Sequence, residues 1–147
     1  MPGKETMGVR HFLFEVVEVV RAQLPRDLRD FHVIGPMFTM VKLHYGNPKV
    51  HYKVWVQRKL GIVEVGLHFE VAPEENARYL DALVNEHADV LALLGPEVVA
   101  ERWTESWTRV HREVPLTRLD EEMLFEVATC LSRMVASLQP VVRRLAG

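Results

Sequence analysis

Three histidines and a glutamate, His44, His51, His68 and Glu70, fall within one short stretch of the chain, in segments that read as strands. Two imidazoles and a carboxylate form a ligand set that suits zinc or iron, and His44, His51 and Glu70 are the candidate metal ligands. Lys42 and Lys53 lie close by and oppose a cation, and the ligands follow no standard motif spacing. The same stretch supports a second chemistry. Residues 42 to 59 hold Lys42, Lys49, Lys53, Arg58 and Lys59 without an acid, interleaved with Tyr45, Tyr52 and Trp55. Basic groups meet phosphates and an indole stacks on a base, so Lys42, Lys53, Trp55, Arg58 and Lys59 are the candidate nucleic-acid contacts. A third use is a subunit contact through Met40, Trp55 and His68, since aromatic residues and Met are enriched in interface cores.

These residues need a sheet to bring them together, and the pattern supplies one. Thr39–Tyr45 alternates, Gly46-Asn47-Pro48-Lys49 is a turn, and Val50–Lys59 alternates again. Leu60-Gly61 is a second turn. Ile62–Ala72 follows, with Val63, Val65, Leu67, Phe69 and Val71 on one side and Glu64, Gly66, His68 and Glu70 on the other. Pairing Tyr45 with Val50 sets His44 opposite His51, Lys42 opposite Lys53 and Met40 opposite Trp55. Pairing Lys59 with Ile62 sets Gln57 opposite Glu64, Trp55 opposite Gly66, Lys53 opposite His68 and His51 opposite Glu70. All these residues share one face, because side chains alternate strictly. The expected rows are His44/His51/Glu70, Lys42/Lys53/His68 and Met40/Trp55/Gly66, with the indole covering the glycine. Val41, Leu43, Val54, Val56, Val65, Leu67 and Phe69 form the core face, to which Tyr45 and Tyr52 also point.

Helices flank this meander. Phe12, Leu13, Val16, Val17 and Val20 recur at helical spacing, which predicts a helix from Val9 to Leu24 ended by Pro25. Arg26–Pro36 reads as an irregular connection. Pro73, followed by Glu74 and Glu75, opens a second helix with Leu80, Leu83, Val84, His87, Leu91 and Leu94 on its stripe, and Gly95-Pro96 stops it. Val98–Glu105 and Trp107–Val114 read as a hairpin, with a short helix from Pro96 as the competing reading of the first. Thr117 and Asp120 stand at capping-box spacing before a long helix carrying Leu119, Met123, Leu124, Val127, Leu131, Met134, Val135 and Leu138, kinked or frayed at Pro140. The order α-β-β-β-α-β-β-α predicts an α+β fold, a five-stranded antiparallel meander with helices on one face. His87 is expected to be a core or boundary residue and Cys130 a buried small hydrophobe.

The chain has 147 residues, a common single-domain size, and residues 1–147 are expected to form one domain with 1–8 frayed. Hydrophobic residues make up 48% and charged residues 26%, an ordinary globular balance, and a net charge of −2 opposes strong global attraction to nucleic acid or anionic lipid. The single cysteine excludes an intrachain disulfide. With no signal-peptide pattern and no bilayer-length apolar run, the expectation is a cytoplasmic protein that does not enter the membrane. Phosphate-cradling GxxxxGK[ST], GxGxxG, HExxH, CxxC and GxSxG patterns are missing, so no cofactor is implied. In a strand-borne nuclease core, Gly66 would stand where the lysine belongs. His68 and Glu70 could pair as acid and base, a use outweighed by simple solvation on an exposed strand.

Residues 38 to 146 resemble an uncharacterised C-terminal domain of predicted bacterial nucleases and restriction-associated proteins. The similar features are a strand, Ile62–Ala72, running into a helix that begins near Asn76, then Gly95 after that helix, then Trp103 and Arg109 in the following strands. The resemblance implies an accessory module whose catalysis lies elsewhere. The leading functional expectation is a non-enzymatic interaction or oligomerisation protein, a homodimer. Association with nucleic acid through the 42–59 hairpin and metal binding on the histidine-rich face are the alternatives.

Overall fold

In the computed structural model, residues 5–146 are described. The chain is α+β, with an antiparallel sheet and helices, as the segment order predicts. The elements are α1 (Val9–Gln23), β1 (His32–Met37), β2 (Met40–His44), β3 (Val50–Gln57), β4 (Ile62–Phe69), α2 (Pro73–Glu86), α3 (Ala88–Leu93), β5 (Val99–Arg102), β6 (Thr108–Pro115) and α4 (Glu121–Ala146). Six strands pair in the order β1-β2-β3-β4-β6-β5.

The sixth strand, β1, lies in the stretch expected to be irregular. Its sequence HVIGPM carries Gly35 and Pro36, and its register slips between Ile34 and Met37. Proline has no N–H to donate to a ladder, and an edge strand is where that loss is tolerated. The pairing of β2 with β3 follows the expected register, with His44 opposite His51, Lys42 opposite Lys53 and Met40 opposite Trp55. The pairing of β3 with β4 is displaced by two residues. Arg58–Leu60 form a 3-10 turn closed by Gly61 at φ +67°, so Gln57, not Lys59, faces Ile62. A slip of two preserves the face of every side chain, so the division into core and polar faces stands while the rows change. His51 now opposes His68, Lys53 opposes Gly66, and Trp55 opposes Glu64 rather than covering the glycine.

Helices α1 and α4 pack together and against the core face of β1 to β4. Phe12, Leu13, Val16 and Val20 of α1 and Val127, Leu131, Met134, Val135 and Leu138 of α4 are buried against Val41, Leu43, Val54, Val65 and Leu67. Each such side chain removed from water stabilises the fold by about 1.5–3 kcal/mol. Tyr52 points to this side, as expected, and its hydroxyl donates to Gln139 Oε1 at 3.0 Å. Tyr45 donates to the Leu28 carbonyl at 2.7 Å.

Other local expectations shift. Asp120 itself caps α4, its Oδ1 accepting from the Met123 amide at 3.0 Å, and the helix runs on past Pro140 to Ala146. The expected single helix after Pro73 breaks at His87, whose backbone leaves helical geometry, and restarts as α3. The buried side of α2 is Asn76, Tyr79, Ala82 and Leu83, while Val84 is exposed. Residues 98–105 contribute a strand, β5, not a helix. Of the segment expected to fray, residues 1–4 lie outside the described residues, whereas the Met7 amide donates to the Leu119 carbonyl at 2.7 Å.

Gly66 of β4 pairs with His111 of β6 on the polar face, with no room for a side chain. A Cβ there would lie 2.5 Å from His111 Cβ and 2.8 Å from the Val110 carbonyl oxygen, backbone that cannot swing aside. Gly66→Ala is therefore expected to destabilise the protein by about 3 kcal/mol, the upper part of the overpacking range, in denaturant unfolding. An unchanged midpoint would show that this contact relaxes freely.

Candidate metal centre

The polar face is not a solvated surface. His51, Lys53, Glu64, His68 and His111 are all buried, with His68 at 0% exposure and His51 and Glu64 at 1%. They come from the three neighbouring strands β3, β4 and β6, and Trp103, just after β5, lies against them. Its indole meets His68 edge-on at 5.3 Å, with Lys53 Nζ 5.4 Å and the Arg109 guanidinium 4.8 Å from its ring. Asn76 helps to hold that loop. Its side chain donates to the Ser106 carbonyl and bonds both the amide and the carbonyl of Val71.

The register of β3 on β4 stacks the His51 and His68 rings at 5.6 Å, 3° from parallel. Each ring has one nitrogen committed to an acceptor. His51 Nδ1 lies 2.9 Å from the Pro48 carbonyl oxygen, which can only accept, so that nitrogen carries the proton. His68 Nε2 lies 2.6 Å from Glu64 Oε1, and the same logic places its proton there. Burial, reinforced by the facing imidazole, lowers the His51 pKa to about 3. Burial also lowers that of His68, against the opposing pull of Glu64. Both rings are therefore neutral near pH 7, and the other nitrogen of each, His51 Nε2 and His68 Nδ1, presents a lone pair.

Those two lone pairs converge on Glu70. His51 Nε2 and His68 Nδ1 each stand 3.8 Å from Glu70 Oε2, and the three atoms lie within 4.8 Å of one another. None of the three has a hydrogen-bond partner among the described residues. Buried acceptors facing one another are costly. At 3.8 Å they are too far apart for a hydrogen bond. Ligands about 2.0–2.2 Å from a tetrahedral ion stand about 3.4 Å apart, so each imidazole–Glu70 pair would have to close by a few tenths of an ångström and the two imidazole nitrogens, within 4.8 Å of one another, by up to about 1.4 Å for all three to share one ion. The Glu64–His68 bond has the form of a carboxylate–histidine–metal relay, in which the outer carboxylate fixes the ligand's tautomer.

Around this centre runs a network of charge. Burial alone would raise the Glu64 carboxyl, but the His68 hydrogen bond, Arg109 and His111 outweigh it and hold it below the ordinary carboxylate value. Glu101 accepts from Arg109 at 2.8 and 3.0 Å and lies 3.2 Å from His111 Nε2. Burial lowers the His111 pKa, as does Arg109. Lys53 Nζ reaches Glu70 Oε2 at 3.9 Å; burial lowers its pKa, with Glu70 and Glu64 opposing.

Several of the residues singled out from sequence occupy other places. His44 is not with the metal-ligand trio. Its Nδ1 accepts from the Gly46 amide and its ring stacks on His32 at 5.0 Å. His68 takes its position, because the two-residue register slip carries His68 to His51. Lys53 is buried and cannot reach a phosphate backbone, which leaves half-buried Lys42 and Trp55 with exposed Arg58 and Lys59 as the accessible part of the basic set. His68 is likewise unavailable to a second subunit, while Met40 and Trp55 are partly open. Sequence reading missed Glu64, His111 and Trp103 as parts of the site. Alternation places Glu64 and His111 on this face, but only the β4–β6 pairing brings them together. No family model, no curated protein and no solved structure matches the chain.

Proposed function

We propose that this chain binds one divalent transition-metal ion of the zinc or iron class through His51 Nε2, His68 Nδ1 and Glu70. The carrying observation is the convergence of three buried donor atoms without a hydrogen-bond partner among the described residues, two of them on imidazoles whose tautomers are fixed from behind by Pro48 and Glu64. Two histidines and a carboxylate match the ligand chemistry of mononuclear zinc and non-haem iron sites. Lys53 supplies the counter-charge to Glu70 when the ion is absent.

The metal-free chain, equilibrated with zinc and freed of excess, is expected to retain one ion per chain by elemental analysis. His51→Ala and His68→Ala should each weaken binding by about 100-fold or more, whereas His44→Ala should leave it unchanged. Stoichiometric binding that survives both His51→Ala and His68→Ala would contradict this assignment.

A second reading, self-association through the β1 edge, is supported by Phe38. It is 91% exposed and adopts φ +52°, a backbone conformation that costs a bulky residue energy and that Asn accepts more readily. Met37 beside it and Val33 farther along β1 are also exposed. Phe38→Asn is expected to stabilise the isolated chain by about 0.5–1 kcal/mol while abolishing any dimer seen by light scattering. A dimer indifferent to the substitution would place the contact elsewhere.

A further inference from the structure

Three protein donors leave a tetrahedral ion one position short, and the surroundings of that position have a definite chemistry. A divalent ion beside the carboxylates of Glu70 and Glu64 is neutralised by them. The Lys53 ammonium then adds one positive charge, while Arg109 is matched by its own partner Glu101. The centre carries a net charge of about +1 in a setting where an uncompensated charge is costly. Two donors border the trio. Lys53 Nζ lies 3.9 Å from Glu70 Oε2, held between the indoles of Trp55 and Trp103 at 5.4 Å from each ring. The Trp103 indole N–H is buried with no acceptor among the described residues. The acceptors of this site face the ion; among the described residues the Trp103 N–H has no acceptor, and Lys53 is paired with Glu70 only at 3.9 Å.

We infer that the open coordination position takes an anionic oxygen ligand, the carboxylate or phosphate oxygen of a small molecule, clamped against the ion by Lys53. This rests on the metal reading above. An oxyanion closes the charge balance, completes the coordination shell and accepts from Lys53. Glu70, at 13% the most exposed ligand, marks the side from which the rest of such a molecule would extend.

The test uses the full chain loaded with cobalt(II), whose visible absorption reports its ligands, titrated separately with inorganic phosphate and acetate at constant ionic strength set with perchlorate. A saturable change in the band is expected with at least one anion, and which anion acts identifies the class. Lys53→Met should keep the cobalt band but weaken anion binding about tenfold or more. A cobalt band that no anion alters overturns the inference and leaves the metal reading standing, as it would if Lys53 itself ligated the ion as a neutral amine. Equal anion affinity in Lys53→Met also overturns it. The absence of any cobalt band removes the metal reading and this one with it.

Discussion

The constraint on which the site depends is the burial of β4 on both faces. A central strand of a sheet covered on one side only can afford polar residues on the other, because water satisfies them. Here Glu64 and His68 point away from the α1/α4 core and are still buried, so each must find its partners inside the protein. His68 answers with Glu64, Glu64 with Arg109 and His111, and His111 with Glu101. This chain of alternating imidazole and carboxylate groups crosses from β4 through β6 to β5. Among the described residues it leaves Glu64 Oε2 and His111 Nδ1 without a hydrogen-bond partner along its length, and at one end it leaves a remainder of three such atoms together, where His51, His68 and Glu70 face one another without a donor among them.

That remainder is what distinguishes a metal centre from a structural ion-pair network. Buried charges in a network are retained by mutual pairing, and removing one partner costs several kcal/mol. The Arg109, Glu101 and His111 part fits that description, with Arg109 donating to Glu101 at 2.8 and 3.0 Å and His111 Nε2 3.2 Å from it. The trio does not, since its imidazoles have spent their protons on Pro48 and Glu64 and turn lone pairs toward a carboxylate. Lys53 offsets the charge of Glu70 from 3.9 Å but leaves the two ring nitrogens unsatisfied. A cation bound by all three meets every requirement at once.

Much of this was legible in the residues. Strict alternation placed Lys42, His44, His51, Lys53, Trp55, Glu64 and His68 on one face, and the meander's turns fixed which segments pair. The identity of the neighbours was not legible, because the 3-10 turn at Arg58–Leu60 lengthens the β3–β4 connection by two residues. The hydrophobic pattern is blind to an even-numbered slip, so core and polar sides were right while His44 stood in for His68. Strand β1 escaped notice because Gly35 and Pro36 interrupt its alternation. The burial of the polar face depends on β6 and Trp103 arriving from late in the chain, and no local signal carries that information. Asn76 shows the same limit, for a lone polar residue on a helix reveals its role only once Ser106 and Val71 are seen beside it.

The central claim is positional, and anomalous diffraction from crystals of the zinc-loaded protein tests it most directly. A single strong peak about 2.0–2.2 Å from His51 Nε2, His68 Nδ1 and a Glu70 carboxylate oxygen is the predicted result. A peak elsewhere, such as between His32 and His44, or no ordered zinc with the trio unchanged, would contradict it.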